Sequence, residues 1–181
     1  MAYQKLQSRE ALKVIPSNTV RIPDPTSAVN LISTTVEATE GVTMFQVAAN
    51  AGSVLTGTNT KFTEMNIRPG MIVYNGTSSE CYYVVSVDSD TQITVSAAVG
   101  GGASDFITIY EKPTIGCSLF VGTAGDIHVK MAEQGGNVTA ANTPANSTQI
   151  YKNIANGSFM PIQVIQVYVG DTTATDIIAM W

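Results

Sequence analysis

The feature that most constrains the fold of this sequence is a succession of short β-like runs separated by turn signals. Between residues 36 and 112, five such runs alternate with turn-forming pairs such as Pro69-Gly70 and Asn75-Gly76. Val, Ile, Thr and aromatic residues favour strands, whereas Gly, Pro and Asn favour turns. The chain also contains 22 Thr and 15 Gly, and only 13% of its residues are charged. These observations predict an all-β protein.

The N-terminal region, residues 1–35, predicts an extended arm because its three prolines restrict the backbone. Within it we consider a short helix over residues 8–14, with Ser8 as the N-cap. The run at 28–34 predicts a first strand.

Residues 36–112 predict an inserted small β-barrel of the SH3-like type. We expect Phe62, Met65 and Ile67 to close one end of this barrel through a helical turn. The five predicted strands lie at 42–48, 71–75, 80–87, 91–96 and 105–111.

Residues 113–181 predict a C-terminal β-sandwich or barrel domain. The apolar positions of the run at 159–169 change parity half-way, which is typical of a β-bulge or of a strand buried on both sides. Pro161 cannot donate a ladder hydrogen bond, so we expect it at a strand start or on an edge. The polar loop at 132–148 is long enough to be functional or disordered. The other predicted strands of this domain lie at 117–121, 126–131, 149–155 and 175–180.

The charge of −5 is unevenly distributed along the chain. Residues 1–33 carry a net charge of +2, whereas residues 34–112 carry −5. A basic lead segment on an acidic body suggests that Arg9, Lys13 and Arg21 dock on an acidic neighbour, with a solvated tail as the alternative. Lys and Arg are not clustered, so we expect no nucleic-acid partner. No secretory signal pattern and no apolar run of about 20 residues occurs, so we expect neither secretion nor membrane insertion.

Residues that could carry chemistry are few. His128 is the only histidine, and an exposed strand residue is favoured over a relay with Asp126. Cys81 and Cys117 are far apart and predict free thiols rather than a disulfide. One histidine and two separated cysteines do not make a zinc site. We therefore expect no catalytic residues, no metal and no cofactor, and a protein that is not an enzyme.

Three C-terminal motifs resemble the head-spike base family of tailed phages and gene-transfer-agent particles. They are "LFVGTAGDIHV" at 119–129, "NGSFMPIQVIQV" at 156–167 and "TTATDIIAMW" at 172–181, in the order that the family shows. The region at 36–112 is similar to small barrels found in many phage structural and tail proteins. The resemblance implies a self-assembling virion protein at a capsid vertex, as a head-spike base or decoration subunit that anchors other virion proteins.

The implied partners are further copies of the chain, in a ring, and capsid or fibre proteins of the virion. A neck, collar or tail position is an alternative location, and a receptor- or carbohydrate-binding module that uses Tyr82, Tyr83 or the 132–148 loop is an alternative function. Trp181 is the single tryptophan, and we expect it to be buried as a plug of the C-terminal domain or of a subunit contact. The expected interface residues are Trp181, Phe159, Pro161, Arg9, Lys13 and Arg21.

Overall fold

The computed structural model describes residues 10–29, 31, 44–100, 104–113, 115–132 and 148–181. The described chain is all-β, as predicted, and its helical content is one 3-10 turn at Pro25–Ser27. The strands are β1 (Ala11–Lys13), β2 (Met44–Ala51), β3 (Val54–Gly57), β4 (Ile72–Asn75), β5 (Glu80–Val87), β6 (Gln92–Val95), β7 (Phe106–Tyr110), β8 (Cys117–Thr123), β9 (Gly125–Met131), β10 (Thr148–Ile154), β11 (Ser158–Val167) and β12 (Thr175–Met180).

The chain divides into two compact units. The sheet unit comprises residues 1–18 and 114–181, and the barrel unit comprises residues 19–113. The barrel unit therefore starts earlier than the residue-36 boundary predicted from the sequence. The reason is that residues 19–29 belong with the barrel: Val29 donates its N–H to the Ile109 carbonyl at 2.8 Å, and Ala28 bridges Tyr110.

The barrel unit is a closed six-stranded barrel in the order β2-β3-β6-β5-β4-β7. The sequence predicted five strands and missed β3, because only Leu55 of that four-residue strand is a large buried side chain. Phe62 and Ile67 enter the core from a helical turn in which the Met65 N–H bonds the Lys61 carbonyl at 2.8 Å. Phe62 and Ile67 are buried as predicted, whereas Met65 is only partly buried.

The sheet unit contains a six-stranded antiparallel sheet in the order β1-β12-β8-β11-β9-β10. The helix considered over residues 8–14 is wrong, because Ala11–Lys13 pair with β12 and satisfy their backbone groups in a ladder. The strand predicted over 28–34 is described only in part: Ala28 forms a bridge, and residues 30 and 32–34 lie outside the described residues. The loop predicted at 132–148 also lies almost wholly outside them.

Strand β11 contains the predicted bulge. Its first half pairs with β8 and its second half with β9, and the register shifts between Met160 and Val164. Pro161 lies at this shift, in mid-strand, rather than at a strand start or a sheet edge as predicted. A bulge tolerates proline because the ladder is already interrupted there. Beyond the bulge, the four residues Val164, Ile165, Gln166 and Val167 are all buried, so this half of the strand is covered on both sides, as predicted.

Candidate functional site

The candidate site of the sheet unit begins with a row of side chains that crosses four strands. Lys13 of β1 pairs with Ile178 of β12, Ile178 with Phe120 of β8, and Phe120 with Phe159 of β11. Directly paired residues of neighbouring antiparallel strands lie on the same face of a sheet. These four side chains therefore share one face, and none of them is fully buried.

The opposite face of the same strands forms the interior of the unit. The adjacent row contains Ala179, Leu119 and Met160, which are at most 9% exposed. An antiparallel sheet with one solvated face alternates apolar and polar residues. Here the outer row is also apolar, apart from Lys13 at its end.

We call this outer surface the docking face and define it as Phe120, Phe159, Pro161, Ile178 and Met180. Met180 lies two positions after Ile178 in β12, where it pairs with Ala11, and Pro161 lies two positions after Phe159 in β11. Residues two positions apart in a strand lie on the same face. Phe159 is 49% exposed, and Pro161 is exposed as well. Three of the five members, Phe120, Ile178 and Met180, were not singled out from the sequence. The run of four apolar residues at 177–180 was the available signal, since both parities of one strand are then apolar.

Trp181 follows β12 and continues its pairing with the N-terminal segment. Its N–H donates to the Glu10 carbonyl at 3.2 Å. Side chains of successive strand residues point to opposite faces of a sheet. Trp181 therefore lies on the same face as Ile177 and Ala179, opposite the docking face. Its ring is partly buried, and the buried Nε1–H has no hydrogen-bond partner within the structure as described. A buried unsatisfied donor costs about 1–3 kcal/mol, so this N–H is suited to an acceptor from outside the described chain.

The three predicted basic interface residues lie in different places. Lys13 is exposed at the β1 end of the docking-face row. Arg9 lies outside the described residues. Arg21 belongs to the barrel unit, where it lines a cleft together with Tyr83. Lys13, Phe159 and Pro161 thus belong to one sheet, whereas Arg21 belongs to the barrel unit.

His128 does not form a relay with Asp126. Its Nδ1 lies 3.1 Å from the Gly170 carbonyl oxygen and 3.9 Å from an Asp171 carboxylate oxygen, and its ring is stacked on Tyr168 with centroids 4.6 Å apart. Asp126 instead accepts the Asn153 N–H at 2.8 Å. The side chain of His128 is 20% exposed, so it is partly buried rather than exposed as predicted. These contacts fix the turn between β11 and β12.

The other reactive groups have structural surroundings. Both cysteines are free, as predicted, and the buried Cys117 thiol donates to the Val164 carbonyl at 3.2 Å. Within the described ranges, no three His, Cys, Asp or Glu side chains lie close enough together to hold a metal ion. No helix in the same ranges is long and apolar enough to cross a membrane.

The two tyrosines proposed for ligand stacking have opposite environments. Tyr82 is 5% exposed in the barrel core, where burial and a hydrogen bond with Glu80 raise its pKa well above the usual value. It therefore cannot stack on a ligand. Tyr83 lies on the outer side of β5 and is 39% exposed.

Comparisons of the chain with protein-family models, with curated proteins and with solved structures find no match. Function is therefore inferred from the site and from the sequence motifs.

Proposed function

We propose that the protein is a structural subunit of a tailed-phage or gene-transfer-agent particle that assembles with copies of itself and anchors other virion proteins. The observation that carries the proposal is the docking face, an apolar outer surface on a sheet whose inner face is already a core. Apolar surface on both faces of one sheet favours a second layer supplied by another subunit.

The three family-like motifs support the same reading. The first covers most of β8 and most of β9, the second covers β11, and the third covers β12. Phe120, Phe159, Pro161, Ile178 and Met180 all lie within these motifs. The segments that resemble head-spike base proteins therefore coincide with the strands that form the docking face.

The size of the docking face favours a ring over an isolated pair. Complete burial of one Phe, Ile or Met side chain contributes about 1.5–3 kcal/mol, and these side chains are already partly buried. Association of two proteins costs about 4–15 kcal/mol in lost freedom and ordering. A single small contact leaves little surplus, whereas a closed ring gives each subunit two contacts, one through its own docking face and one through a second surface that receives its neighbour's docking face. A capsid vertex, a collar and a tail all provide symmetric positions for such a ring.

The test measures self-association by sedimentation velocity over a range of protein concentrations. The variant Phe159→Asp places a charge on the docking face and should weaken association at least tenfold. The matched control is Phe106→Asp, because Phe106 is 52% exposed on a strand of the barrel unit. It should associate like the unaltered chain. A chain that stays monomeric at all concentrations, or an equal effect of the two variants, would contradict assembly through the docking face.

The virion location needs its own measurement. In a culture that produces particles, a tagged copy of the chain should co-sediment with purified particles in fixed stoichiometry. Phe159→Asp should reduce its incorporation, whereas Phe106→Asp should not. Absence of the unaltered chain from intact particles would exclude the virion role even if the purified protein forms rings.

A further inference from the structure

The barrel unit contains a cleft of about 260 Å³ that the proposed assembly role does not use. It is lined by Thr19, Val20, Arg21, Gly70, Ile72, Tyr83 and Lys112. Ile72 of β4 and Tyr83 of β5 are direct cross-strand partners, so they form adjacent parts of its floor. Ile72 is 3% exposed and Tyr83 39%, which gives the floor a closed apolar part and an open aromatic part.

Two cationic residues line this cleft beside its floor. Arg21 is partly buried and Lys112 is exposed. In the barrel unit as described, the ion pairs are Lys61–Asp90 and Arg68–Glu111, and neither includes Arg21 or Lys112. Of these six charged groups, the four in the two ion pairs are matched, and the remaining two, Arg21 and Lys112, both line this cleft. A carboxylate could bind Arg21 through two parallel hydrogen bonds and Lys112 through one.

We infer that this cleft binds an acidic sugar residue, with its carboxylate on Arg21 and Lys112 and its ring on Tyr83. The volume lies below the range of about 300–1,000 Å³ that is usual for pockets of drug-sized ligands. One ring of a saccharide is of suitable size for this volume. Gly70 adds no side chain at the rim, and a Cβ built on it meets no atom within 4 Å, so the cleft has room for the rest of a longer saccharide.

An acidic peptide is less suited to this place. Extended peptides bind mainly by adding a strand to an open sheet edge. Strands β4 and β5 each have a hydrogen-bonded neighbour on both sides in the closed barrel, so the cleft offers no such edge. An exposed aromatic ring beside two cations instead matches a ligand that has one flat apolar face and one carboxylate.

The experiment follows backbone amide NMR shifts of the full-length protein at physiological salt. The probes are digalacturonate, its neutral galactose counterpart and a short Asp- and Glu-containing peptide. Digalacturonate should shift the amides of Arg21, Tyr83 and Lys112 in a saturable way, and the neutral disaccharide should bind at least tenfold more weakly. No saturable shift with digalacturonate, equal binding of the neutral sugar, or tighter binding of the peptide would each overturn the inference.

Variants locate the contacts. Arg21→Gln and Lys112→Gln should each weaken digalacturonate binding about tenfold, since a charge-assisted hydrogen bond is lost. Lys61→Gln removes the same charge from the same unit outside the cleft and should leave binding unchanged. Tyr83→Phe should keep most of the affinity, whereas Tyr83→Ser should lose it. Equal losses in Lys61→Gln and Arg21→Gln would show a general charge effect and contradict a defined site. These outcomes do not depend on the docking face, because none of the altered residues lies in the sheet unit.

Discussion

The barrel unit and the sheet unit differ in how their strands pair: the barrel is closed, whereas the sheet is open. The barrel closes, so each of its six strands has two hydrogen-bonded neighbours and its apolar residues fill one interior. The sheet unit begins at β1 and ends at β10 without pairing these two strands. It has apolar residues on its inner face and again on the docking face.

The difference shows where each unit can interact. Closure removes sheet edges, so the outer surface of the barrel can recognise a ligand only through side chains, as at Tyr83 and Arg21. The open sheet can accept a whole second layer on Phe120, Phe159 and Ile178. One chain thereby combines a closed barrel with an open sheet that carries exposed apolar side chains.

The largest expected effect separates the two units by stability. Phe62 is fully buried in the barrel and makes an edge-to-face contact with Phe45 at 5.3 Å between ring centroids. Phe62→Ala should destabilise the barrel unit by about 3–5 kcal/mol. Near-UV circular dichroism, to which four barrel tyrosines contribute, should show an additional transition at a lower temperature. The emission of Trp181, which lies in the sheet unit, should still change at the original temperature.

The control for this variant is Phe106→Ala, which removes a half-exposed ring from the same unit and should change stability by less than about 0.5 kcal/mol. If Trp181 emission follows the barrel transition in Phe62→Ala, the two units unfold as one and the comparison fails.

Trp181 provides the next test, on the sheet unit. Trp181→Ala should cost about 2 kcal/mol, less than the ~3–5 kcal/mol of a fully buried ring, because an unsatisfied N–H is removed with it. Trp181→Phe keeps an aromatic ring without that donor and should be close to neutral in the monomer. Chemical denaturation measures both variants, and the unaltered chain should show blue-shifted emission. Emission like that of free tryptophan would mean that the ring is solvated.

Gly125 tests the tight packing at the break between β8 and β9. A Cβ at this position would meet the backbone of Thr173 and Ala174, which cannot move aside as a flexible side chain could. Gly125→Ala should therefore destabilise the sheet unit by about 1–3 kcal/mol. Gly170→Ala is the matched control, since a Cβ there meets nothing within 4 Å. Equal melting temperatures of the two variants would contradict this packing.

The smallest effect is a pH dependence that belongs to the barrel unit. Burial, followed by the nearby Tyr110 and Cys81, raises the pKa of Tyr74 from 10.0 to about 12. Burial also raises the pKa of Tyr110. Because the folded-state pKa is raised, the protonated tyrosine contributes fully to the free energy of unfolding below pH 10. This contribution is lost as the pH rises toward 12. Tyrosinate absorbance should show this late titration, and Tyr74→Phe should increase stability at high pH relative to the unaltered chain. Titration of all barrel tyrosines near pH 10 in the folded protein would contradict it.

The sequence predicted strands well where apolar runs are long and bounded by turns. The run at 80–87 coincides with β5, and the bulge in β11 follows from its change of parity. The short strand β3 and the three-residue strand β1 were missed, because their pairing partners rather than their own patterns define them. β1 was considered a helix for that reason.

The candidate site was only partly predictable. Phe159, Pro161 and Lys13 were expected at an interface, but Phe120 and Ile178 join them only through cross-strand register, which a single sequence does not specify. Arg21 was assigned to a docking arm because it lies among prolines and other basic residues. Its place in the barrel cleft depends on contacts between segments that are distant in sequence.

The pairing of β1 with β12 has a consequence for the order of synthesis. Ala11 pairs with Met180, so this ladder joins segments at opposite ends of the sequence. Contacts between distant segments form slowly, because a long loop must close before they contribute. During translation β1 emerges first and must wait unpaired until β12 has been made, whereas every strand of the barrel is available much earlier. The docking face includes residues of β12 and is consequently completed after the strands of the barrel have been made. If the proposed assembly uses this face, copies of the chain meet only after each already holds a folded barrel.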